Sequence, residues 1–173
     1  MFIRLQSSVK LNNMNNVVYG YKCFNKNLTS QYGDIFKEGK IYHSSNPHFG
    51  KNGFHMCMRL EDTLRYFDAF NDNIRICLVY GFGEFNEYDD EYNGYYDMYS
   101  YEYLTILKEL SREEIINYAL NICEYRLKRF ISLYKLNIDE IELFKSKFYN
   151  NDNILKCIKY YQENNEDVYK LIK

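Results

Sequence analysis

Ile106-Leu107-Lys108-Glu109-Leu110-Ser111-Arg112-Glu113-Glu114-Ile115 decides the fold, because the hydrophobic period changes inside it. Before Leu110, apolar residues come in short runs separated by turn signals, which suits strands. After Ser111 they recur every three or four positions, which suits helices. Ser111 as N-cap and Glu114 at the third helical position form a capping box, each satisfying a free backbone amide of the other. The chain therefore reads as an α+β domain over residues 1–110 and a C-terminal helical region over 111–173, packed on or beside it.

On the helical side, Ile115, Ala119, Ile122, Cys123, Leu127, Phe130, Ile131 and Tyr134 mark one broad apolar face. A second helix is expected from about Asp139 to Tyr149, with Ile141, Phe144 and Phe148 inward. Asn151 or Asp152 caps a third, carrying Ile154, Leu155, Ile158 and Tyr161. The result is a bundle of about three helices.

On the other side, Val17 to Phe24 is rich in β-branched and aromatic residues and ends at Asn25-Lys26-Asn27. Phe36 to His43 reads as a turn into a short strand, and Ser44 to Gly53 as loop. Phe54 to Met58 is strand-like, then Leu60, Leu64 and Phe67 recur at helical spacing. Ile74 to Tyr80 is the strongest strand, closed by a bend or bulge at Gly81-Phe82-Gly83. The fold class is thus a small mixed or antiparallel sheet with one helix, followed by the helical bundle. Phe24, Phe54, Ile76, Leu78, Ile106, Ile115 and Phe130 are the expected core.

The 173 residues hold 27% charged side chains, one Pro and a net charge of −2, which argues for a folded chain and against nucleic acid as a partner. No window is apolar enough to cross a bilayer, and the first residues lack a signal-peptide core, so a cytoplasmic protein is expected, in the host cytoplasm if the source is viral. Five scattered cysteines without a CxxC pair read as core thiols rather than a disulfide framework. Heavy use of Tyr, Asn, Ile and Lys fits an AT-rich genome, bacterial, phage or viral.

Charge is unevenly placed. From Ile76 to Leu107 there is no Lys or Arg, while Glu and Asp interleave with Tyr. One reading is a solvated hairpin or long loop. The other is a contact surface built from Tyr88, Tyr92, Tyr95, Tyr96, Tyr99, Asp89, Asp90 and Glu91, which would favour a basic protein partner or self-association.

Motifs with chemistry are few. His43, His48 and His55 are all the histidines, and with Cys57 they could in principle hold zinc, although H-x4-H-x6-H-x-C is no known ligand spacing. The alternative is scattered loop and core residues, with no metal and no cofactor. His55 beside Cys57 could serve as a base and nucleophile pair only if a third group orients the imidazole. Phosphate-binding, dinucleotide, zincin and serine-hydrolase signatures are missing.

Gly20-Tyr21-Lys22-x-Phe24, Gly39-Lys40-x-Tyr42, Gly53-Phe54-His55-x-Cys57, Tyr66, a strand ending in Gly81 or Gly83, and Ile106 to Ile115 follow one another in an order that resembles a family of uncharacterised domains of phage and low-GC bacterial proteins. The G-F-H-x-C segment is its core motif. More distantly, the layout is similar to the N-terminal module of giant-virus ankyrin-repeat proteins. The resemblance runs from about Val17 to Ile116. A weaker likeness, to ADP-ribosyltransferase-type folds, would place Tyr21 or Lys22 near a nicotinamide, His55 and Tyr66 in the cleft, and Glu102 or Glu109 as the acid.

Two functions follow as expectations. The first is a non-enzymatic interaction module of viral or phage origin that binds a protein through its Tyr-rich acidic surface. The second is an enzyme with a cleft around His55, Cys57, Tyr66 and Glu102.

Overall fold

The computed structural model describes residues 17–30, 33–48, 51–66, 74–88 and 98–164. β1 (Val18–Phe24) alternates as a strand with two different faces must. Val18 and Phe24 pack into one core cluster, and Tyr21 and Cys23 into another. β1 lies antiparallel to β3 (Phe54–Cys57) on one side and to β4 (Arg75–Tyr88) on the other. β5 (Met98–Glu109) pairs antiparallel with both β3 and β4, so β5, β3, β1 and β4 close into a ring. β2 (Ile41–His43) is a fifth strand on the β3 edge of β5, pairing with Tyr103–Thr105 just beyond the stretch that β3 occupies. Sheet and helices together make the fold α+β, with antiparallel pairing throughout the sheet.

Inside the ring lie Phe24, Met56, Cys77, Val79, Tyr101, Leu104 and Ile106, joined by Leu28 and Phe36 from the β1–β2 connection. Five of the seven residues expected in the core are buried, while Phe54 and Leu78 keep part of their surface. The strong strand does not end at Gly81-Phe82-Gly83 but runs on to Tyr88. A Cβ at Gly81 would stand 2.5 Å from the Tyr101 ring, so glycine lets that buried ring lie flat on the backbone. Gly83, at φ +86°, absorbs the register shift between Phe82 and Phe85. The glycines therefore bend a continuing strand. Much of the acidic interval is ladder rather than loop, since Phe85↔Tyr101 and Tyr88↔Met98 are paired.

The expected helix after Cys57 is a single turn, α1 (Leu60–Thr63). Leu60 and Leu64 are buried as their spacing predicts, but the Thr63 hydroxyl donates to the Leu60 carbonyl at 2.7 Å, a local bond that competes with helix extension. Phe67 lies outside the described residues.

The tail holds four helices where about three were expected. α2 (Arg112–Ala119) begins at the Ser111 capping box. The apolar face expected to run on to Tyr134 is split by a break after Leu120, where the Asn121 side chain takes the Asn117 carbonyl, and α3 (Glu124–Leu133) starts afresh. α4 (Ile138–Lys147) has a second capping box, Asn137 with Glu140, and α5 (Asp152–Asn164) is capped by Asn151 Oδ1, which accepts from Ile154 N at 3.1 Å. These helices share one apolar cluster with Cys23, Leu60, Leu64 and Ile76, so the tail packs directly on β1, α1 and β4.

Candidate functional site

The ring of strands has an outer surface that the helices cover only in part. Tyr21, Cys23 and Ile76 go under the helices. Further along the same strands, Tyr19, Tyr80, Phe82 and Tyr103 do not belong to that cluster. The sheet register puts them side by side, with Tyr19↔Tyr80, Phe82↔Tyr103 and His43↔Tyr103 as cross-strand partners. Their rings follow one another from β1 through β4 and β5 to β2, with centroids 6.3 Å apart for Tyr19–Tyr80, 5.6 Å for Tyr80–Phe82, 4.8 Å for Phe82–Tyr103 and 4.8 Å for His43–Tyr103. Phe82 and Tyr103 are stacked 8° from parallel. Such contacts stabilise by about 0.5–1.5 kcal/mol each beyond area burial, which favours the rings staying in line. Its two ends are open: Tyr19 is 60% exposed and the His43 side chain 54%.

Carboxylates accompany the rings. Glu102 Oε1 lies 3.3 Å from His43 Nε2, and Glu102 Oε2 accepts from Glu84 N at 3.2 Å. Burial, reinforced by Glu102, raises the Tyr103 phenol. Next along the hairpin, Phe85 is exposed and stacks on Tyr101, with Tyr99 against both.

The sequence candidates are distributed over this frame. His43 and Glu102 are brought together, as an ion-pair neighbour set on an exposed edge. His48 is exposed in the turn that bridges to Asn52, and Tyr66 is exposed just after α1. His55 and Cys57 lie on β3 and face away from Phe54 and Met56, which point into the ring. Burial, with help from Lys22, pushes the His55 imidazole down to about 4, and burial pushes the Cys57 thiol up to about 12. At neutral pH both are uncharged, the reverse of an activated thiolate–imidazolium pair. Among the described residues no three His, Cys, Asp or Glu side chains converge as a metal site would need. Tyr88 ends β4, Tyr99 is half-buried on β5, and Tyr92, Tyr95, Tyr96, Asp89, Asp90 and Glu91 lie outside the described residues. The sequence reading missed Tyr19, Tyr80, Phe82 and Tyr103 as a unit. The signal available was the period-two spacing Tyr80-x-Phe82 on a strand already expected.

A second polar cluster is internal. Glu61 and Asp62, on α1, are each 1% exposed. Glu61 accepts from Arg126 through both oxygens and from the Tyr118 hydroxyl at 2.8 Å, while that hydroxyl accepts from Leu60 N at 3.2 Å. Burial would push the Glu61 carboxyl up, but these bonds hold it below its ordinary range. Asp62 is paired with Arg129 at 2.7 Å, and for it burial prevails and the carboxyl is raised. Both arginines come from α3, three residues apart on one helix face. This cluster ties the tail to α1.

Residues 18–118, more than half of the chain, match the family described as Domain of unknown function (DUF7666). The protein belongs to that family. The match takes in all five strands, α1 and nearly all of α2, including Tyr118, and leaves α3, α4 and α5 outside. It thus contains the whole aromatic line and both acids of α1, but neither arginine. No curated protein and no solved structure matches the chain. No helix among the described residues is long and apolar enough to cross a membrane.

Proposed function

We propose that the protein is a non-enzymatic interaction module that binds a protein partner through the outer, Tyr-rich and acidic face of its strand ring. The observation that carries this reading is the line of rings from Tyr19 to His43, partly exposed and outside the helical core. Tyrosine gives a large contact area at low cost in side-chain entropy, which is why it concentrates on binding surfaces. The acids of the β4–β5 hairpin, with no Lys or Arg from Ile76 to Leu107, favour a basic partner surface. The Tyr-, Asn-, Ile- and Lys-rich composition is compatible with a phage or viral source, in which case the partner would lie in the host cytoplasm.

The test is affinity capture from candidate host extracts with the wild type and with a Tyr19→Ser, Tyr80→Ser, Tyr103→Ser variant of matched melting behaviour. Proteins that bind through this face are lost from the variant and released by raised salt. Identical capture by both proteins would overturn the reading. Sedimentation over a range of concentrations separates a foreign partner from self-association through the same face.

A further inference from the structure

How such a partner would be held follows from the strand order, and the argument rests on the reading of the outer face just given. β5, β3, β1 and β4 each have a strand paired on both edges, β5 sharing one edge between β3 and β2. β2 does not: it pairs with β5 on one side and with no described strand on the other. Ser44 N donates to the Glu102 carbonyl at 2.8 Å, and the Thr105 hydroxyl donates to the Lys40 carbonyl at 3.3 Å. Ser44 and, two residues back, Tyr42 therefore aim their main-chain groups at β5, as does the Lys40 carbonyl, while the Lys40 N–H turns back to the Lys37 carbonyl. By strand alternation, Ile41 and His43 aim theirs outward. Two N–H and two C=O groups, two residues apart, are what an extended chain needs in order to add as a strand.

Charge selects the kind of chain. The hairpin that carries β2 bears seven acids and no base between Ile76 and Leu107, and one of these acids, Glu102, lies at the β2 end of the aromatic line, where it accepts from the Glu84 main-chain N–H. Glu102 is 3.3 Å from His43, on the exposed face of β2. The neighbouring Lys40 is folded over the Tyr42 ring at 5.0 Å, and Tyr42 packs toward the inside of the ring. We propose that β2 is the docking edge for an extended, Lys- or Arg-bearing segment of a partner protein, which adds beside Ile41–His43 with its basic side chains along Glu102. A strand of three residues offers few main-chain bonds, so the acidic side chains supply a large share of the attraction and binding is salt-sensitive.

The probe is a fluorescein-labelled octapeptide of alternating Lys and Val, titrated against the full chain. Its Glu-for-Lys counterpart and the two forms N-methylated on alternate residues serve as comparisons. Strand addition predicts that the Lys-Val peptide binds, that the Glu-Val peptide binds at least tenfold more weakly, and that one of the two N-methylated phases loses at least tenfold. It also predicts slowed amide exchange at Ile41 and His43 when the peptide is bound. Equal binding by both N-methylated phases overturns strand addition, and if Tyr80→Ser still abolishes that binding, the outer-face reading stands. Binding untouched by Tyr80→Ser overturns the outer-face reading instead. No binding of the Lys-Val peptide, or protection at Ile41 and His43 that grows with protein concentration alone, also overturns the proposal, the latter in favour of a second copy.

Discussion

At the scale of single residues, His55 shows how position overrules type. A histidine beside a cysteine invites a chemical reading, yet on β3 its imidazole is pressed down to about 4 by burial and by the Lys22 ammonium, whose Nζ donates to the His55 carbonyl at 2.6 Å. A group depressed below its unfolded value of about 6.5 stays neutral in the fold while the unfolded chain takes up a proton. The stability this gives is complete above about pH 6.5 and is lost as pH falls toward about 4. Denaturant titrations at pH 7 and pH 5 should therefore show a larger loss for the wild type than for His55→Gln, by about 1 kcal/mol for a partly exposed ring. Equal losses would place the imidazole in water. None of this was legible in the sequence, because the shift depends first on burial and then on a lysine that the fold brings in from 33 residues away. Glu61 and Asp62 hid for the same reason. Adjacent acids at a helix start ordinarily read as solvated, and their partners Arg126 and Arg129 lie about 65 residues further on.

At the scale of elements, local signals were read well wherever the chemistry is local. The Ser111 box appears where Ser-x-x-Glu predicted it, because both bonds close within four residues. The Asn137 box, built on the same spacing, went unread because Asn-Ile-Asp-Glu looks like the continuation of a charged helix face. Replacing either cap by alanine should cost about 1 kcal/mol, measured by urea unfolding, with the two costs additive since the caps serve different helices. Costs near zero would mean that packing alone sets those helix starts. The long β4 escaped the sequence reading at Gly81 and Gly83. Glycine in a strand signals either an end or a close approach, and only the Tyr101 ring decides between them.

For the whole molecule, the decisive fact is that ring and tail share one apolar cluster and one ionic cluster. Burying ions is costly, and removing one partner is costlier still because the other is left uncompensated. Arg126→Met should therefore destabilise by about 3 kcal/mol through the stranded Glu61 carboxylate. The double change Glu61→Leu, Arg126→Met should regain most of that loss in the same unfolding assay. If the two single losses simply add, the pair is not coupled and the tail is held by apolar contact alone. The α+β class and the helical tail were both visible from the change of period at Ser111. The closure of the strands into a ring was not, since nothing in β3 or β4 taken alone specifies that both should meet β5.

The family's matched stretch ends at Tyr118, whose hydroxyl sits between the acid of α1 and the arginine of α3. A boundary drawn there divides a set of charges that are tolerable only together. Two acids lie on one side of it and the two arginines that compensate them on the other. A chain cut at that boundary would keep two carboxylates sunk in an apolar seam with their countercharges gone.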